Sequence, residues 1–176
     1  MGGEHLFKWY SSGDTDFKWP SGTMTSKVSA VSAAHLREMI PTIGALVMGK
    51  RTFDIAHAWG GRHPLDVPVV VMTHTIPQEW AGKESVFAFV RDSVESAVAR
   101  AKEIAGNKNV AVSAANITQQ CLKAELLDEI YVDLAPVLLG GGVRLFDYLG
   151  IEPTRLERTQ VIEASGVTHL AFRVVK

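Results

Sequence analysis

LLDEIYVDLAPVLLGGGVRLF, residues 126–146, is the stretch on which the fold of this chain turns. Ile130, Val132 and Leu134 alternate with polar or amphipathic neighbours, the period of two expected of a half-buried strand. Pro136 then interrupts the ladder, because proline has no N–H to donate. Val137, Leu138 and Leu139 lead into Gly140, Gly141 and Gly142, a run that lets the backbone turn at positive φ or lie close against another group. Arg144 follows, then Leu145 and Phe146. A strand, a proline break, a glycine hinge and a re-entrant apolar turn suit the building of a site. The glycines alone read more simply as a tight connection between a core strand and a short helix.

Two upstream stretches repeat a pattern of apolar strand followed by polar end. Ile43 to Met48 is almost wholly apolar, as expected of a strand covered on both faces. It ends at Gly49, followed by Lys50, Arg51 and Thr52, with a helix expected from Thr52 to about Ala58. Free N–H groups at a helix start beside cations make an anion site, although basic residues at strand ends are often only solvated. Gly60 to Pro64 is a turn. Val67 to Thr73 is the second apolar strand, ending in Thr73 and His74. The pair strengthens the anion reading, because ligands of open α/β sheets lie outside the carboxyl ends of the strands. His57, His63 and His74 match no tight ligand spacing and no carboxylate joins them, so a metal is not expected.

The rest of the chain alternates in the same way. Residues 1–27 are polar but carry Phe7, Trp9, Tyr10, Phe17 and Trp19, which reads as a packed loop: a lid over a flat ligand, or a seal on the edge of a core. TSKVSAVSAAHLREMIP reads as a helix capped by Ser26 or Ser29, with Val28, Val31, His35, Leu36, Met39 and Ile40 on one face and Pro41 as the stop. Ser85 to Val90 is a strand. Asp92 with Glu95 resembles a capping box, and Val94, Ala97, Val98, Ala101, Ile104 and Ala105 form the stripe of a helix closed by Gly106. Asn109 to Ser113 is a strand leading through Ala114-Ala115-Asn116 into the helix ITQQCLKAELL, where Cys121 sits at core spacing rather than as a nucleophile. Pro153 to Ala164 and Val167 to Val175 form a hairpin around Ser165-Gly166. The sum is an α/β protein with a mixed, mostly parallel sheet, helices on both faces and a C-terminal antiparallel hairpin.

Composition narrows the function. A chain of 176 residues fits one domain with a good core. Apolar residues at 47% and charged residues at 21% argue against disorder. The 18 basic and 19 acidic residues are mixed, so nothing supports a nucleic-acid or anionic-membrane partner. One cysteine excludes an internal disulfide. No apolar run reaches spanning length and MGGEHLFKWY is not a signal peptide, which leaves the cytoplasm as the expected location.

GALVMGKRTFD, VPVVVMTH, LLDEIYVDLAPVLLGGGVRLF and GVTHLAFRV together resemble the dihydrofolate-reductase-like family, in the branch of the riboflavin-biosynthesis reductase domain. The resemblance covers nearly everything from Leu46 onward. It implies one three-layer α/β/α domain over residues 1–176 and an NAD(P)H-dependent reductase of a small heterocyclic substrate, with NADPH as cofactor and NADH as the alternative. The residues implied for the cofactor are Gly49, Lys50, Arg51, Thr52, Thr73, His74 and the loop Ser113, Ala114, Ala115, Asn116, Ile117. Within that set Lys50 would meet the 2′-phosphate and Thr52 the pyrophosphate, while Thr73 and His74 flank the adenosine. Trp59, Leu139, Gly140 and Gly141 would lie on the substrate side; no catalytic residue is implied. A non-catalytic nucleotide-binding or dimerisation relative is the other expectation.

Three departures from the family pattern stand out. Lysine replaces arginine at Lys50, which keeps the charge and loses the planar grip. The usual glycine pair of the pyrophosphate loop is replaced by Ser113-Ala114-Ala115-Asn116, whose methyls would crowd a phosphate. The family's apolar first strand has no counterpart ahead of MGGEHLFKW. Another strand or a second subunit is expected to fill that slot, favouring a homodimer, or else the functional reading frame is longer.

Overall fold

The computed structural model describes residues 3–81, 86–147 and 149–176. In chain order its strands are β1 (Thr15–Lys18), β2 (Thr25–Val28), β3 (Ile43–Gly49), β4 (Val69–Met72), β5 (Phe87–Val90), β6 (Asn109–Ser113), β7 (Glu129–Leu134), β8 (Leu156–Ala164) and β9 (Val167–Val174). The helices are α1 (Ala30–Met39), α2 (Lys50–Ile55), α3 (Val94–Ala105) and α4 (Ala115–Lys123). The class is mixed α/β, as expected, with the parallel strands in one sheet and the C-terminal strands in an antiparallel one. The chain divides into two compact units. One holds the segments before Ile40, Leu127–Arg144 and Gly150–Lys176; the other holds Ile40–Leu126 and Leu145–Leu149.

The second unit is built on four parallel strands in the order β5-β4-β3-β6. Parallel strands are buried on both faces, which is why β3 and β4 are near-continuous apolar runs. Leu46, Met48, Val69 and Val71 pack with Phe53 of α2 and Phe87 of β5 into one buried cluster. Across β3, β4 and β6 lies α3, whose fully buried Ala97 and Ala101 have side chains short enough for close packing. Its approach is tightest at Gly44, where a Cβ would come within 2.9 Å of the Ala105 backbone and 2.8 Å of Lys108 Cβ. The cap of α3 is Ser93, whose Oγ accepts from Ser96 N–H at 3.2 Å, rather than the expected Asp92. The fifth strand begins at Phe87; Ser85 lies outside the described residues.

In the first unit β7, β9 and β8 form an antiparallel sheet in that order, with Asp133 opposite His169 and Ile162 on its other side. The expected N-terminal loop is more ordered than its sequence suggests. A 3-10 turn over Gly3–Tyr10 is followed by the β1–β2 hairpin, in which Phe17 pairs with Ser26. Trp9, Phe17 and Trp19 are buried, and the Trp19 indole N–H donates to Ser26 Oγ at 2.9 Å. The helix begins only after this hairpin, capped by Ser29, whose Oγ accepts from Ser32 N–H at 3.1 Å. Its buried face is Ser32, Ala33, His35 and Leu36, whereas Val31, expected to face inward, is exposed.

Candidate active site at the strand ends

The register of the parallel sheet places Gly49 beside Met72 and Met48 beside Ser113, so β4, β3 and β6 end level with one another. Three stretches expected from sequence therefore gather at one sheet edge: Gly49–Thr52, Thr73–His74 and Ser113–Ile117. Gly49 and Ile117 are close neighbours, since a Cβ at Gly49 would sit 3.4 Å from Ile117 Cγ1. Two helices start here, α2 after Gly49 and α4 after Ala114, and neither has a side-chain cap. Their first N–H groups point outward at the positive ends of the two helix dipoles.

Ala114 has an unusual backbone at this edge. It adopts φ 83°, ψ 138°, a region that L side chains rarely enter. Glycine would take the same backbone course without strain. A dinucleotide's pyrophosphate is compatible with this edge: small residues, free N–H groups and cations converge on it.

The side chains around the edge are not all available. Lys50 Nζ is held by Asp54 Oδ2 at 2.5 Å, one turn further along α2. Arg51 is exposed and has no carboxylate partner among the described residues. Thr73 Oγ1 donates to Thr75 O at 2.7 Å and accepts from Thr75 N–H at 3.1 Å, so its hydroxyl shapes a turn. His74 is exposed. Asn116 Oδ1 accepts from Gln120 Nε2 at 2.7 Å. The set therefore offers backbone N–H groups, Arg51 and His74 directly, with Lys50 in reserve.

Trp59 lies in the segment after α2, half-buried against the cluster around Phe53. His57, Ala58 and Trp59 all have positive φ, of 48°, 50° and 49°, followed by Gly60 at 67°. Successive left-handed turns at non-glycine residues store strain that only surrounding packing can hold. Trp59 meets His63 edge-on, with ring centroids 4.5 Å apart. Leu65 N–H donates to His63 Nδ1 at 3.1 Å, and burial pulls the His63 pKa down to about 4. Arg62 clamps Asp66 through two bonds of 2.6 Å, which lowers the Asp66 pKa chiefly through the hydrogen bond. Leu139, Gly140 and Gly141 belong to the other unit, in an exposed irregular segment where Gly140 has φ 70°.

Within the first unit, sequence reasoning missed a chain of polar groups whose middle members, Ser32 and His169, are buried. Ser32 Oγ lies 2.9 Å from His169 Nε2, and His169 Nδ1 lies 2.7 Å from Asp133 Oδ1. A carboxylate accepts, so Nδ1–H donates to Asp133, which leaves Nε2 of a neutral ring to accept from the Ser32 hydroxyl. Ser29 Oγ donates in turn to Ser32 Oγ at 3.1 Å, so the chain runs one way and every member is satisfied. Trp9 stands edge-on to His169 at 5.2 Å and His35 lies against it at 4.6 Å. Burial, then His169, lowers the His35 pKa; burial, then Asp133, raises that of Tyr10. The order Ser–His–Asp matches a hydrolytic triad in composition only. Ser32 has no exposed surface and His169 only 2%, so no substrate reaches the hydroxyl. The chain is a structural clamp between α1, β9 and β7.

Among the described residues no group of three or more His, Cys, Asp and Glu side chains could hold a metal ion, and no helix is long and apolar enough to cross a membrane. Parallel strands whose carboxyl ends gather uncapped helix starts define an open α/β protein with its candidate site at the strand ends. Residues 7–170 match the family model described as the RibD C-terminal domain, and the chain belongs to that family. Among solved structures it is similar to a protein assigned to riboflavin biosynthesis from Shewanella sp. PV-4, at 24% identity and a TM-score of 0.65, over 80% of this chain and 78% of that one. It is also similar to a pyrimidine reductase-like protein from Corynebacterium diphtheriae, at 13% identity and a TM-score of 0.55, over 82% and 81% of the two chains. RibD of Acinetobacter baumannii matches at 19% identity and a TM-score of 0.58, over 94% of this chain and 56% of that longer one. A comparison with curated proteins finds no match.

Proposed function

We propose that this chain is an NAD(P)H-dependent reductase acting on a small heterocyclic substrate of the dihydrofolate or 5-amino-6-(5-phosphoribosylamino)uracil kind. The observation that carries the reading is the Ala114 backbone at a level edge of parallel strands, beside two uncapped helix starts. In this reading the N–H groups of Ala115, Asn116 and Ile117 and those following Gly49 hold the pyrophosphate, with Thr52 and Arg51 alongside. Lys50 faces the 2′-phosphate, and His74, on its Thr73 turn, flanks the adenosine. Trp59 borders the substrate side; the same assignment for Leu139, Gly140 and Gly141 rests on the family resemblance alone. When bound, the nicotinamide supplies the hydride, and the protein's part is to hold and orient the partners. The reading also makes the chain a cytoplasmic single-domain protein that works as a homodimer; sedimentation as a folded monomer would count against the dimer.

One observation favours the alternative of a nucleotide-binding relative without the chemistry: Lys50 already has a partner in Asp54. Tryptophan fluorescence during titration with NADPH and NADH separates the readings, because Trp59 and Trp80 pack beside the strand-end core. Saturable quenching followed by oxidation of NADPH on adding a pyrimidine or pterin substrate is expected of the reductase. Quenching without turnover on any such heterocycle favours the relative, and no quenching at millimolar dinucleotide sinks both.

A further inference from the structure

We propose that Asp54 is a specificity-determining residue which, by neutralising Lys50, makes the site nearly indifferent to a 2′-phosphate on the adenosine. This rests on the nucleotide reading above and deepens it.

The geometry of α2 brings the pair together. Phe53, between the two charged residues, is buried among Trp80, Phe87 and Phe89, meeting all three rings edge-on at 5.1–5.8 Å. That anchor fixes the rotation of the helix about its axis. Residues four apart then share a face, and the Asp54 carboxylate meets the Lys50 ammonium there. Both side chains remain partly exposed, at 38% for Lys50 and 49% for Asp54, so a phosphate can reach them. It meets a pair of no net charge, and it must displace a carboxylate or approach one closely.

Arg51 has no such partner among the described residues and is the cation that attracts phosphate in either cofactor. The consequence is a division of labour between neighbours. Arg51 contributes to binding any adenosine phosphate, whereas Lys50 discriminates only after Asp54 is removed. An exposed charge pair changes binding by no more than about fivefold, which sets the scale of the effect.

The test is calorimetric titration of the full chain with adenosine 5′-monophosphate and adenosine 2′,5′-bisphosphate, with circular dichroism confirming the fold of each variant. The wild type should bind the two within about fivefold of one another. Asp54→Asn should tighten the bisphosphate by about fivefold and leave the monophosphate unchanged. Adding Lys50→Met to Asp54→Asn should cancel the gain, and Arg51→Met should weaken both ligands. A wild-type preference for the bisphosphate far above tenfold overturns the proposal. So does an Asp54→Asn gain shared equally by both ligands, or one that survives loss of Lys50. If neither nucleotide binds a folded wild type, the nucleotide reading itself fails and takes this proposal with it.

Discussion

Replacing Ala114 by glycine should make the protein more stable, the reverse of the usual effect of glycine. Ala114 sits at φ 83°, ψ 138°, and a non-glycine residue there carries about 1–3 kcal/mol of strain. Glycine relieves that strain and costs about 0.4–1 kcal/mol through the greater freedom of the unfolded chain. It is also a better N-cap residue than alanine, and Ala114 is the N-cap of α4. The net is a gain of about 1 kcal/mol, or a rise of about 2–4 °C in melting temperature for a chain of this size. Ala115, one residue on and inside the helix, is the control: Ala115→Gly should lower stability by about 0.5–1 kcal/mol. Thermal and urea melts followed by far-UV circular dichroism read both changes. If Ala114→Gly lowers the midpoint as Ala115→Gly does, Ala114 stores no strain, and the glycine-like path of the loop is refuted.

Acid should loosen the fold through His63 and His35. With a folded pKa near 4, His63 is neutral in both states above about pH 6.5; as pH falls below that, the unfolded chain takes up a proton that the folded one refuses. Stability therefore drops between about pH 6.5 and 4, with His35 acting in the same direction; allowing for partial exposure, His63 contributes about 1–2 kcal/mol. His63→Gln should flatten that part of a stability-against-pH curve. Ser32→Ala strands His169 Nε2 without a donor in a dry site and should cost about 1–3 kcal/mol in urea unfolding. Gly44→Ala drives a methyl into the Ala105 backbone and should cost about 1–3 kcal/mol in the same assay.

The elements held by local pattern were legible from sequence, and those held by distant partners were not. The strand Asn109–Ser113 ends where its residues say it should, and Val94, Ala97, Val98, Ala101 and Ala105 are the buried stripe of α3. Asp92 and Ser93 are adjacent residues with equal capping chemistry; Ser93, at φ −144° and ψ 167°, aims its hydroxyl at Ser96 N–H. The β1–β2 hairpin went unread because four residues a strand are too few to show a period. Nothing in HAW announces three left-handed residues, since their conformation depends on what Trp59 packs against. Leu134 keeps the alternation of its strand yet is exposed, whereas Ile130 on the same face is buried; the alternation marks a face and not what covers it. At the candidate site the glycine, cation and hydroxyl pattern located the strand ends. It did not show that Asp54 takes Lys50 or that Thr73 turns back on Thr75. The Ser32–His169–Asp133 chain spans 137 and 36 residues of sequence, and only the β7–β9 register puts Asp133 opposite His169.

That buried imidazole also gives the molecule an internal reporter. A ring N–H held by a carboxylate and screened from water exchanges its proton only when the surrounding unit opens, on the slow timescale of local unfolding. Its two nitrogens meet different partners, Asp133 at Nδ1 and Ser32 at Nε2. His169 therefore supplies a magnetic-resonance signal from inside the first unit, set apart from those of freely exchanging histidines. The lifetime of that signal measures how often α1 lifts from β9, with no label added and no residue changed.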